Sequence, residues 1–324
     1  MSLYLGLDTS NYTTSAAVYD DRTNRILQNK QLLPVKKGER GIRQSDAVFH
    51  HNQQLPRVLG ELLEDVSSMA LPAYGSALKD ALAAVGVSGM PRRIPGSYMP
   101  CFSVGVTNAV SIASTVGIPL GVFSHQEGHI AAALYSADRM DLIGQEFLAF
   151  HVSGGTTESL LVRPGRENPL EAELVGTSTD LKAGQAIDRV GVLLGLQFPC
   201  GNALEQLATM SRQDYHPKAS LQGLNCSLSG VENQCQKMIA DGAPEYDVAL
   251  YCLRAVEAAL QGMAKALTEK YPGLPIVFSG GVMSNGLIRK DFEAQFDCCF
   301  AEPAFSADNA AGVAVLSALK YKGL

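Results

Sequence analysis

The first 35 residues contain three short segments in which hydrophobic residues either predominate or alternate with polar ones. "LYLGLDTS" (residues 3–10) is an apolar run that ends in polar residues, whereas "TTSAAVYD" (13–20) and "RILQNKQLLPV" (25–35) alternate. A short apolar run and an alternation with a period of two are both typical of β-strands. The pattern therefore predicts three consecutive strands at the start of the chain.

A helical pattern comes next and is followed by a strand–helix–strand order. Residues 45–69, "SDAVFHHNQQLPRVLGELLEDVSSM", place apolar side chains three or four positions apart. This spacing predicts a long helix, with Ser45 or Asp46 as its N-cap. The segments after it predict a strand that ends in "VGVSGM", a helix of small residues in "FSVGVTNAVSIASTVG" and a strand in "IPLGVFSH".

The same order of elements recurs after about residue 143. "EFLAFHVSGGTTESLLVRPG" predicts two strands joined by a glycine turn, and "EAELVGTST" predicts a third. The remaining pattern predicts helices in "KAGQAIDRVGVLLGL" and "DVALYCLRAVEAALQGMAKALTEKY", a strand in "PIVFSGG", a helix after Ser284 and a final helix in "ADNAAGVAVLSALK".

This repeated order predicts an α/β protein with two related lobes that face each other across a cleft. We assign residues 1–143 to the N-terminal lobe and residues 144–324 to the C-terminal lobe. Residues 200–245, rich in Gly, Pro, Asn and Ser, are interpreted as an insertion. The length of 324 residues agrees with two lobes, because single cores usually stop growing at about 250–300 residues.

Composition excludes several classes of protein. The net charge of −6 argues against a surface that is basic throughout, although it allows a local basic groove. Seven cysteines without a Cys-x-x-Cys motif argue against a disulfide framework. The chain starts without the pattern of a signal peptide, and no apolar run approaches the ~20 residues of a membrane span. We therefore expect a cytoplasmic protein that does not cross a membrane.

Polar turns end three of the predicted strands, and two of these turns contain glycine. The three turns are "DTSNYTT", "HVSGGTTES" and "FSGGVMSNG". Backbone N–H groups in such turns can bind phosphate, although a glycine after a strand is more often only part of a turn. Three such turns together favour a nucleotide in the cleft. The P-loop and Rossmann glycine patterns are missing from the sequence, so those two nucleotide-binding folds are disfavoured.

His125 and His129, in "SHQEGHIAAAL", lie four residues apart at the start of a predicted helix. Residues at this spacing share one helix face, so both imidazoles can point to one metal ion. Zinc proteases of the H-E-x-x-H type have a glutamate beside the first histidine, but here Gln126 is there and the acid is Glu127. Metalloprotease activity is therefore disfavoured. A metal site and two partly solvated histidines remain as alternatives.

Asp308, at the start of the last predicted helix, is suited to complete a metal site, because the helix dipole stabilises an acid there. A simple N-cap explains it equally well. Among the other histidines, His151 is at the end of a predicted strand, and His51 is on the first long helix, on an exposed or packing face.

Together, the turns and the histidine pair resemble the universal tRNA threonylcarbamoyladenosine transferase family (TsaD type), once labelled glycoprotease or O-sialoglycoprotein endopeptidase. The resemblance covers nearly the whole chain. The matching segments are Asp8-Thr9-Ser10, His125 with His129, Val152 to Thr157, Ala183 to Arg189, "LLGLQFPCGNALE", "SLSGVE", "GGVMSNGLIR" and "SADNAAG".

The resemblance implies a two-lobed actin-like ATPase fold (sugar kinase/Hsp70), with nucleotide and metal in the cleft between the lobes. It implies one divalent ion, Fe(II) or Zn(II), held by His125, His129 and Asp308, and leaves open whether His151 is a third imidazole ligand. It further implies an adenine nucleotide, ATP or threonylcarbamoyl-AMP. The residues that match the family's substrate contacts are Val152, Ser153, Gly154, Gly155, Thr156, Asp188, Gly201, Glu205 and Asn285.

The implied reaction moves a threonylcarbamoyl group from its mixed anhydride with AMP to the exocyclic amine of the adenosine beside the tRNA anticodon. The implied partners are tRNA, the small-molecule adenylate and helper or paralogous protein subunits. A metal ion would polarise the acyl phosphate, and Gly154 and Gly155 would offer backbone N–H groups. Asp188 would accept hydrogen bonds from ribose hydroxyls.

The sequence departs from the family pattern at several positions, among them the early helix segment "SDAVFHH", which lacks the family's arginine. The two acids that follow the family's first turn are replaced by Tyr12 and Thr13, which leaves Asp8 as the predicted catalytic proton acceptor. A lysine becomes Glu232 and a glutamate becomes Gln185. These changes leave two further interpretations open: a carbamoyltransferase with another acceptor, and a non-catalytic subunit that binds nucleotide.

Overall fold

The computed structural model describes most of the chain, namely residues 2–10, 12–34, 42–69, 77–305 and 310–323. The chain forms two compact units. The first unit contains residues 1–145, 163–172 and 304–324, and the second contains residues 146–162 and 173–303.

The first unit is built on a mixed five-stranded sheet in the order β3-β2-β1-β4-β5. β1, β2 and β3 are antiparallel neighbours, whereas β4 and β5 run parallel to β1. The three consecutive strands predicted at the start of the chain are confirmed. The elements are β1 (Leu3–Asp8), β2 (Thr13–Asp20), β3 (Arg25–Leu32), α1 (Gln44–Met69), α2 (Leu78–Ala81), β4 (Leu82–Met90), α3 (Phe102–Val116), β5 (Leu120–Ser124) and α4 (His125–Ser136).

All six residues of β1 are buried, which explains its continuous apolar run. Leu3, Leu5 and Leu7 pack in one cluster with side chains of α1 such as Leu55 and Leu62. These α1 residues carry the three- and four-residue spacing seen in the sequence, because that spacing puts them on one helix face.

The second unit repeats the arrangement of the first. Its sheet has the order β8-β7-β6-β11-β12, with β6 and β7 antiparallel and with β11 parallel to both β6 and β12. The prediction that the order of elements along the chain repeats is therefore confirmed. The elements are β6 (Phe147–Val152), β7 (Thr157–Arg163), β8 (Glu171–Thr177), α5 (Ala183–Leu193), α6 (Gly201–Ala208), β9 (Ser220–Gln222), β10 (Asn225–Ser227), α7 (Ser229–Ala240), α8 (Glu245–Lys270), β11 (Ile276–Ser279), α9 (Gly286–Gln295) and β12 (Cys298–Phe300).

The region interpreted as an insertion, 200–245, is an integral part of this second unit. It contains α6, the β9–β10 hairpin and α7. Leu204, Cys226 and Cys235 from these elements are buried in the unit's main hydrophobic cluster. The polar composition of residues 200–245 therefore reflects the turns between short elements.

The last helix, α10 (Ala310–Lys322), belongs to the first unit and not to the predicted 144–324 lobe. Small residues on the first sheet explain this placement. A Cβ on Gly6 would lie 2.2 Å from the Ala310 carbonyl oxygen, and one on Gly86 would lie 2.7 Å from that of Val313. The sheet thus lets the helix backbone approach closely. The predicted boundary at 143/144 lies beside the observed one, but the chain returns to the first unit at its end.

Helix α8 carries a buried acid, Glu257, that is 4% exposed. Its carboxylate accepts hydrogen bonds from Arg254 Nη1 at 2.6 Å and from Gln261 Nε2 at 3.0 Å. Burial raises the pKa of Glu257 from 4.5 to about 7, and the nearby Arg254 opposes this rise. The folded chain therefore holds a proton on Glu257 at pH values where the unfolded chain has lost it.

Stability should consequently fall as the pH rises from 4.5 towards 7, because the unfolded state releases this proton first. The loss should be on the order of 3 kcal/mol at most. Glu257→Gln should lose less stability than the parent chain between about pH 5 and about pH 8, as measured by thermal unfolding. Glu269→Gln, an exposed position on the same helix, is the matched control. Equal losses in the parent chain and the Glu257 variant would contradict the prediction.

Candidate active site

The HQEGH segment forms the first turn of α4, directly after β5. The helix begins where it does because Ser124 and Glu127 form a capping box. Ser124 Oγ accepts a hydrogen bond from the Glu127 backbone N–H at 3.2 Å, and the Glu127 carboxylate accepts one from the Ser124 N–H. The box places His125 in the first helical position.

Glu127 has a structural role in this turn. It is 2% exposed, and its two oxygens accept hydrogen bonds from Arg93 Nε and Nη2, both at 3.1 Å. Asn168 Nδ2 donates to the same carboxylate at 3.1 Å, and Lys320 Nζ donates to Asn168 at 2.8 Å. These contacts connect α4 with residues 163–172 and with α10. Glu127 is therefore engaged in anchoring the helix and does not occupy the base position of a zinc protease.

The imidazoles of His125 and His129 converge, as their spacing suggested. Their Nε2 atoms are 2.9 Å apart, and their ring centroids are 4.4 Å apart. Two nitrogen atoms at this separation share one hydrogen bond or bind one cation together. The role of both residues as metal ligands stays a prediction.

Three parallel strands, β1, β4 and β5, bring polar groups to one edge of the first sheet. Asp8 ends β1, Ser88 lies near the end of β4, and His125 follows β5. The carboxyl ends of parallel strands are the usual location of ligand sites in open α/β sheets. Asp8 and His125 were predicted from the sequence, but Ser88 was not, since its signal is one hydroxyl within an otherwise apolar strand.

Asp8 is 1% exposed, and its carboxylate has three polar neighbours within hydrogen-bond distance. Its Oδ1 accepts from the Ser10 N–H at 2.8 Å. Its Oδ2 accepts from the Ser88 hydroxyl at 2.5 Å and faces His125 Nδ1 at 2.8 Å. Burial alone would raise the pKa of Asp8, but His125 and the hydrogen bonds from Ser10 and Ser88 outweigh it and lower the pKa to about 2.

This arrangement fits a divalent metal ion. Metal-binding histidines characteristically have the second ring nitrogen engaged by a carboxylate, as Asp8 engages His125. In the part of the chain that the structure describes, no three His, Cys, Asp or Glu side chains are grouped to hold a metal. The predicted carboxylate ligand, Asp308, lies outside the described residues. His151 lies in the second unit, where its Nδ1 is 3.1 Å from Ser279 Oγ, and its metal role stays a prediction.

His51 is fully buried in the first unit, which places it on the packing face of α1. Its Nδ1 is 2.8 Å from Thr14 Oγ1, and Thr14 donates to Gln54 Oε1 at 2.9 Å. Burial lowers the pKa of His51 to about 4. The imidazole is therefore neutral and helps to hold α1 against β2.

The Ser-Gly-Gly turn of the second unit connects β6 and β7. Val152 is buried in the core, the Ser153 N–H donates to the Thr156 carbonyl at 2.7 Å, and Gly154 and Gly155 are exposed. The start of α5 packs against the turn, since a Cβ on Gly184 would lie 2.7 Å from Gly154 Cα. The close approach of α5 to the turn therefore requires glycine at position 184.

A pocket of about 230 Å³ lies beside this turn, entirely within the second unit. Five of the predicted nucleotide-binding residues line it: Gly154, Asp188, Gly201, Glu205 and Asn285. Six further lining residues were not predicted from the sequence, although two of them belong to the third polar turn, "FSGGVMSNG". They are Gly184, Ile187, Pro199, Asn202, Gly281 and Val282. Val152, Ser153, Gly155 and Thr156 do not line the pocket.

The polar side chains of the pocket are held by backbone contacts. Asp188 Oδ1 accepts from the Cys200 N–H at 2.8 Å, and Glu205 Oε1 accepts from the Gly286 N–H at 2.7 Å. Asn285 caps α9 by accepting from the N–H groups of residues 287 and 288. The pocket therefore presents fixed oxygen acceptors, as a ligand with hydroxyl groups requires.

The residues that differ from the family pattern have defined positions in the structure. The Glu232 carboxylate lies 3.0 Å from Arg189 Nη1, so its negative charge is paired at the surface. Gln185 accepts a hydrogen bond from the Lys182 N–H at 3.2 Å. Tyr12 is 40% exposed and Thr13 is buried, and neither side chain is a carboxylic acid.

As far as the chain is described, its helices include none that is both long and apolar enough to cross a membrane.

Comparison with solved structures identifies the fold. Over 98% of this chain, the structure is similar to 55% of full-length HypF in its phosphate- and nucleotide-bound form, with a TM-score of 0.59 and 12% identity. It is also similar to a ROK family glucokinase from Streptomyces griseus, over 98% of this chain and 99% of that one, with a TM-score of 0.50 and 13% identity. The chain has the actin-like ATPase fold of these proteins, as the resemblance implied.

Sequence comparison then identifies the family. The family model described as TsaD, tRNA N6-adenosine threonylcarbamoyltransferase, matches residues 24–315. The chain belongs to this family. It is 26% identical to the tRNA N6-adenosine threonylcarbamoyltransferase of Limosilactobacillus fermentum, across 99% of this chain and 92% of that protein.

Proposed function

We propose that this chain transfers a threonylcarbamoyl group from threonylcarbamoyl-AMP to the exocyclic amine of the adenosine beside the tRNA anticodon, in a metal-dependent reaction. The observation that carries the proposal is the family match over residues 24–315. Two features of the structure support it: the converging imidazoles of His125 and His129, and the pocket of the second unit.

The pocket would bind the nucleoside part of the adenylate. Its volume of about 230 Å³ is below the ~300–1,000 Å³ of pockets that enclose a whole drug-sized ligand. Asp188 and Glu205 would accept hydrogen bonds from the ribose hydroxyls. The exposed Gly154 and Gly155 make no backbone hydrogen bond within the described chain, so their N–H groups are available for a phosphate.

His125 and His129 would hold a divalent ion, Fe(II) or Zn(II), with Asp308 as the carboxylate ligand. When bound, such an ion supplies positive charge that polarises the acyl phosphate. The imidazole nitrogens of this chain suit either metal.

The reaction balances without an oxidant or reductant. The adenosine amine nitrogen forms a bond to the carbonyl carbon of the threonylcarbamoyl group, and the bond from that carbon to the phosphate oxygen breaks. AMP leaves with the electron pair, and the amine loses one proton to solvent water. The chain contributes binding and orientation, which can account for a large part of the rate when both reactants are held in place.

Tyr12 and Thr13 favour a second candidate function. They replace the two acids of the family pattern, so the acceptor side of the reaction differs from that pattern. Carbamoyl transfer to another acceptor, such as a hydroxyl or a thiolate, would use the same metal and nucleotide groups.

The decisive experiment supplies the purified chain with threonylcarbamoyl-AMP, unmodified tRNA, a divalent metal and the helper proteins of its source. We expect mass spectrometry of the digested tRNA to detect threonylcarbamoyladenosine. A chain that binds nucleotide and metal without modifying tRNA would support the second function. A chain that binds nucleotide but no metal, and does not modify tRNA, would be the non-catalytic subunit.

Asp188→Asn should weaken AMP binding, because the carboxylate is the stronger acceptor for the ribose hydroxyls. The affinity for AMP should fall roughly 10–100-fold, which is typical of losing a hydrogen bond to a charged group. Isothermal titration calorimetry with AMP measures it, and Asp241→Asn, an exposed aspartate after α7, is the control. Unchanged AMP affinity in the Asp188 variant would remove the pocket from the proposal.

A further inference from the structure

The hydrogen atoms around Asp8 can be assigned from its contacts. The Ser10 backbone can only donate, so it donates to Oδ1. Oδ2 receives both the Ser88 hydroxyl and His125 Nδ1. An ionised carboxylate only accepts hydrogen bonds, so three donors around a buried carboxylate require that His125 carries its proton on Nδ1.

In the neutral ring, the form that binds a metal ion, this assignment also fixes the state of Nε2. A neutral imidazole with a proton on Nδ1 has a lone pair on Nε2. That Nε2 atom is the one that lies 2.9 Å from His129 Nε2. The lone pair therefore faces the second imidazole, at the position where a cation would be shared.

We propose that Asp8 and Ser88 are positioning residues that hold His125 with its Nδ1 proton on Asp8 and its Nε2 lone pair directed to a divalent cation shared with His129. This inference deepens the proposed function and rests on it for the presence of the metal. It replaces the role that the sequence suggested for Asp8, which was to accept a proton from the reacting amine.

The burial of Asp8 favours a role in positioning His125 over a role as general base. A general base must come within hydrogen-bond reach of the proton that it removes. Asp8 is 1% exposed, and both its oxygens are already engaged by residues of the first unit. A substrate amine would have to displace one of these donors, whereas orienting His125 requires no rearrangement.

Ser88 contributes by fixing the carboxylate. It is fully buried on β4, next to β1 in the sheet, and its hydroxyl donates to the same oxygen that faces His125. Without this hydroxyl, Asp8 keeps the Ser10 contact at Oδ1 but loses one restraint at Oδ2. Ser88→Ala should therefore have the same kind of effect as a change at Asp8, but a smaller one.

The test measures Zn²⁺ affinity of the metal-free full chain by competition with a chromophoric chelator. Asp8→Asn places an amide beside His125, which can donate to Nδ1 and so move the ring proton to Nε2. We expect the Zn²⁺ affinity to fall about 10–100-fold, as for other outer ligand partners. Ser88→Ala should lower it less than Asp8→Asn does. Ser111→Ala, an exposed serine on α3, should leave it unchanged.

A second measurement reports the tautomer directly and needs neither metal nor substrate. Long-range ¹H–¹⁵N spectra of the imidazoles should show His125 protonated at Nδ1 in the parent chain and at Nε2 in Asp8→Asn. The proposal is overturned if Asp8→Asn keeps the Nδ1 tautomer and full Zn²⁺ affinity while transfer activity is lost. It is equally overturned if the parent chain binds no divalent cation. Failure of the tRNA reaction alone, with the affinity and tautomer changes present, would count against the transferase function only.

Discussion

Gly312→Ala is expected to be one of the most destabilising single substitutions in the chain. A Cβ at this position would lie 1.9 Å from the Gly128 carbonyl oxygen and 2.7 Å from the Ala132 backbone nitrogen. Because these are backbone atoms of α4, the two helices would have to move apart. Overpacking typically costs about 1–3 kcal/mol, and a backbone overlap this close puts the expected cost at about 3 kcal/mol or more.

Thermal unfolding followed by circular dichroism would measure this effect as a fall in Tm on the order of 6 °C or more. Gly60→Ala is the matched control, since Gly60 is exposed within α1 and a Cβ there meets nothing within 4 Å. The control should be neutral or more stable by up to about 1 kcal/mol, because alanine is the better helix former. A Tm for Gly312→Ala equal to that of the parent chain would show that α4 and α10 are not packed this closely.

The same helix pair shows where prediction of the fold from sequence reached its limit. The order of strands and helices along the chain followed from local periodicity, because each strand and helix has its own alternation or three- to four-residue spacing. The position of α10 did not follow, since its residues are buried nearly all round and such a helix fits either sheet. What decides its place is the close approach at Gly6 and Gly86, and that becomes visible only when distant segments are brought together.

The candidate site likewise contains residues that could be predicted from the sequence and residues that could not. His125 and His129 were predictable because their convergence depends only on a spacing of four residues in a helix. The pocket residues Asp188 and Glu205 were identified from the family resemblance, and the structure brings them together. Ser88 was missed because its partner, Asp8, is 80 residues away in the sequence and adjacent only through the pairing of β1 with β4.

Glu127 illustrates a sequence feature with a different explanation. The resemblance of HQEGH to a protease motif draws attention to its acid, but that acid caps α4 and pairs with Arg93. The same contacts place His125 at the helix start, next to Asp8. The acid of the motif thus serves the histidine site by fixing where the helix begins.

His129→Ala should have one of the largest effects on metal binding and activity of any change outside the nucleotide pocket. It removes one of two converging nitrogens but leaves the contact between Asp8 and His125 in place. Loss of an outer partner of a metal ligand costs about 10–100-fold, so loss of a ligand itself should cost roughly 100-fold or more in Zn²⁺ affinity. Transfer activity at limiting metal should fall in parallel.

His216→Ala is the matched control for this substitution, because the His216 side chain is 82% exposed and lies in a loop of the second unit. Chelator competition would measure both affinities, and thermal unfolding would confirm that both variants are folded. A His129 variant that binds Zn²⁺ as tightly as the parent chain, with its activity intact, would show that the converging imidazoles serve only to pack the start of α4. The metal would then have to be held elsewhere in the chain, and the orientation of His125 by Asp8 would lose its purpose.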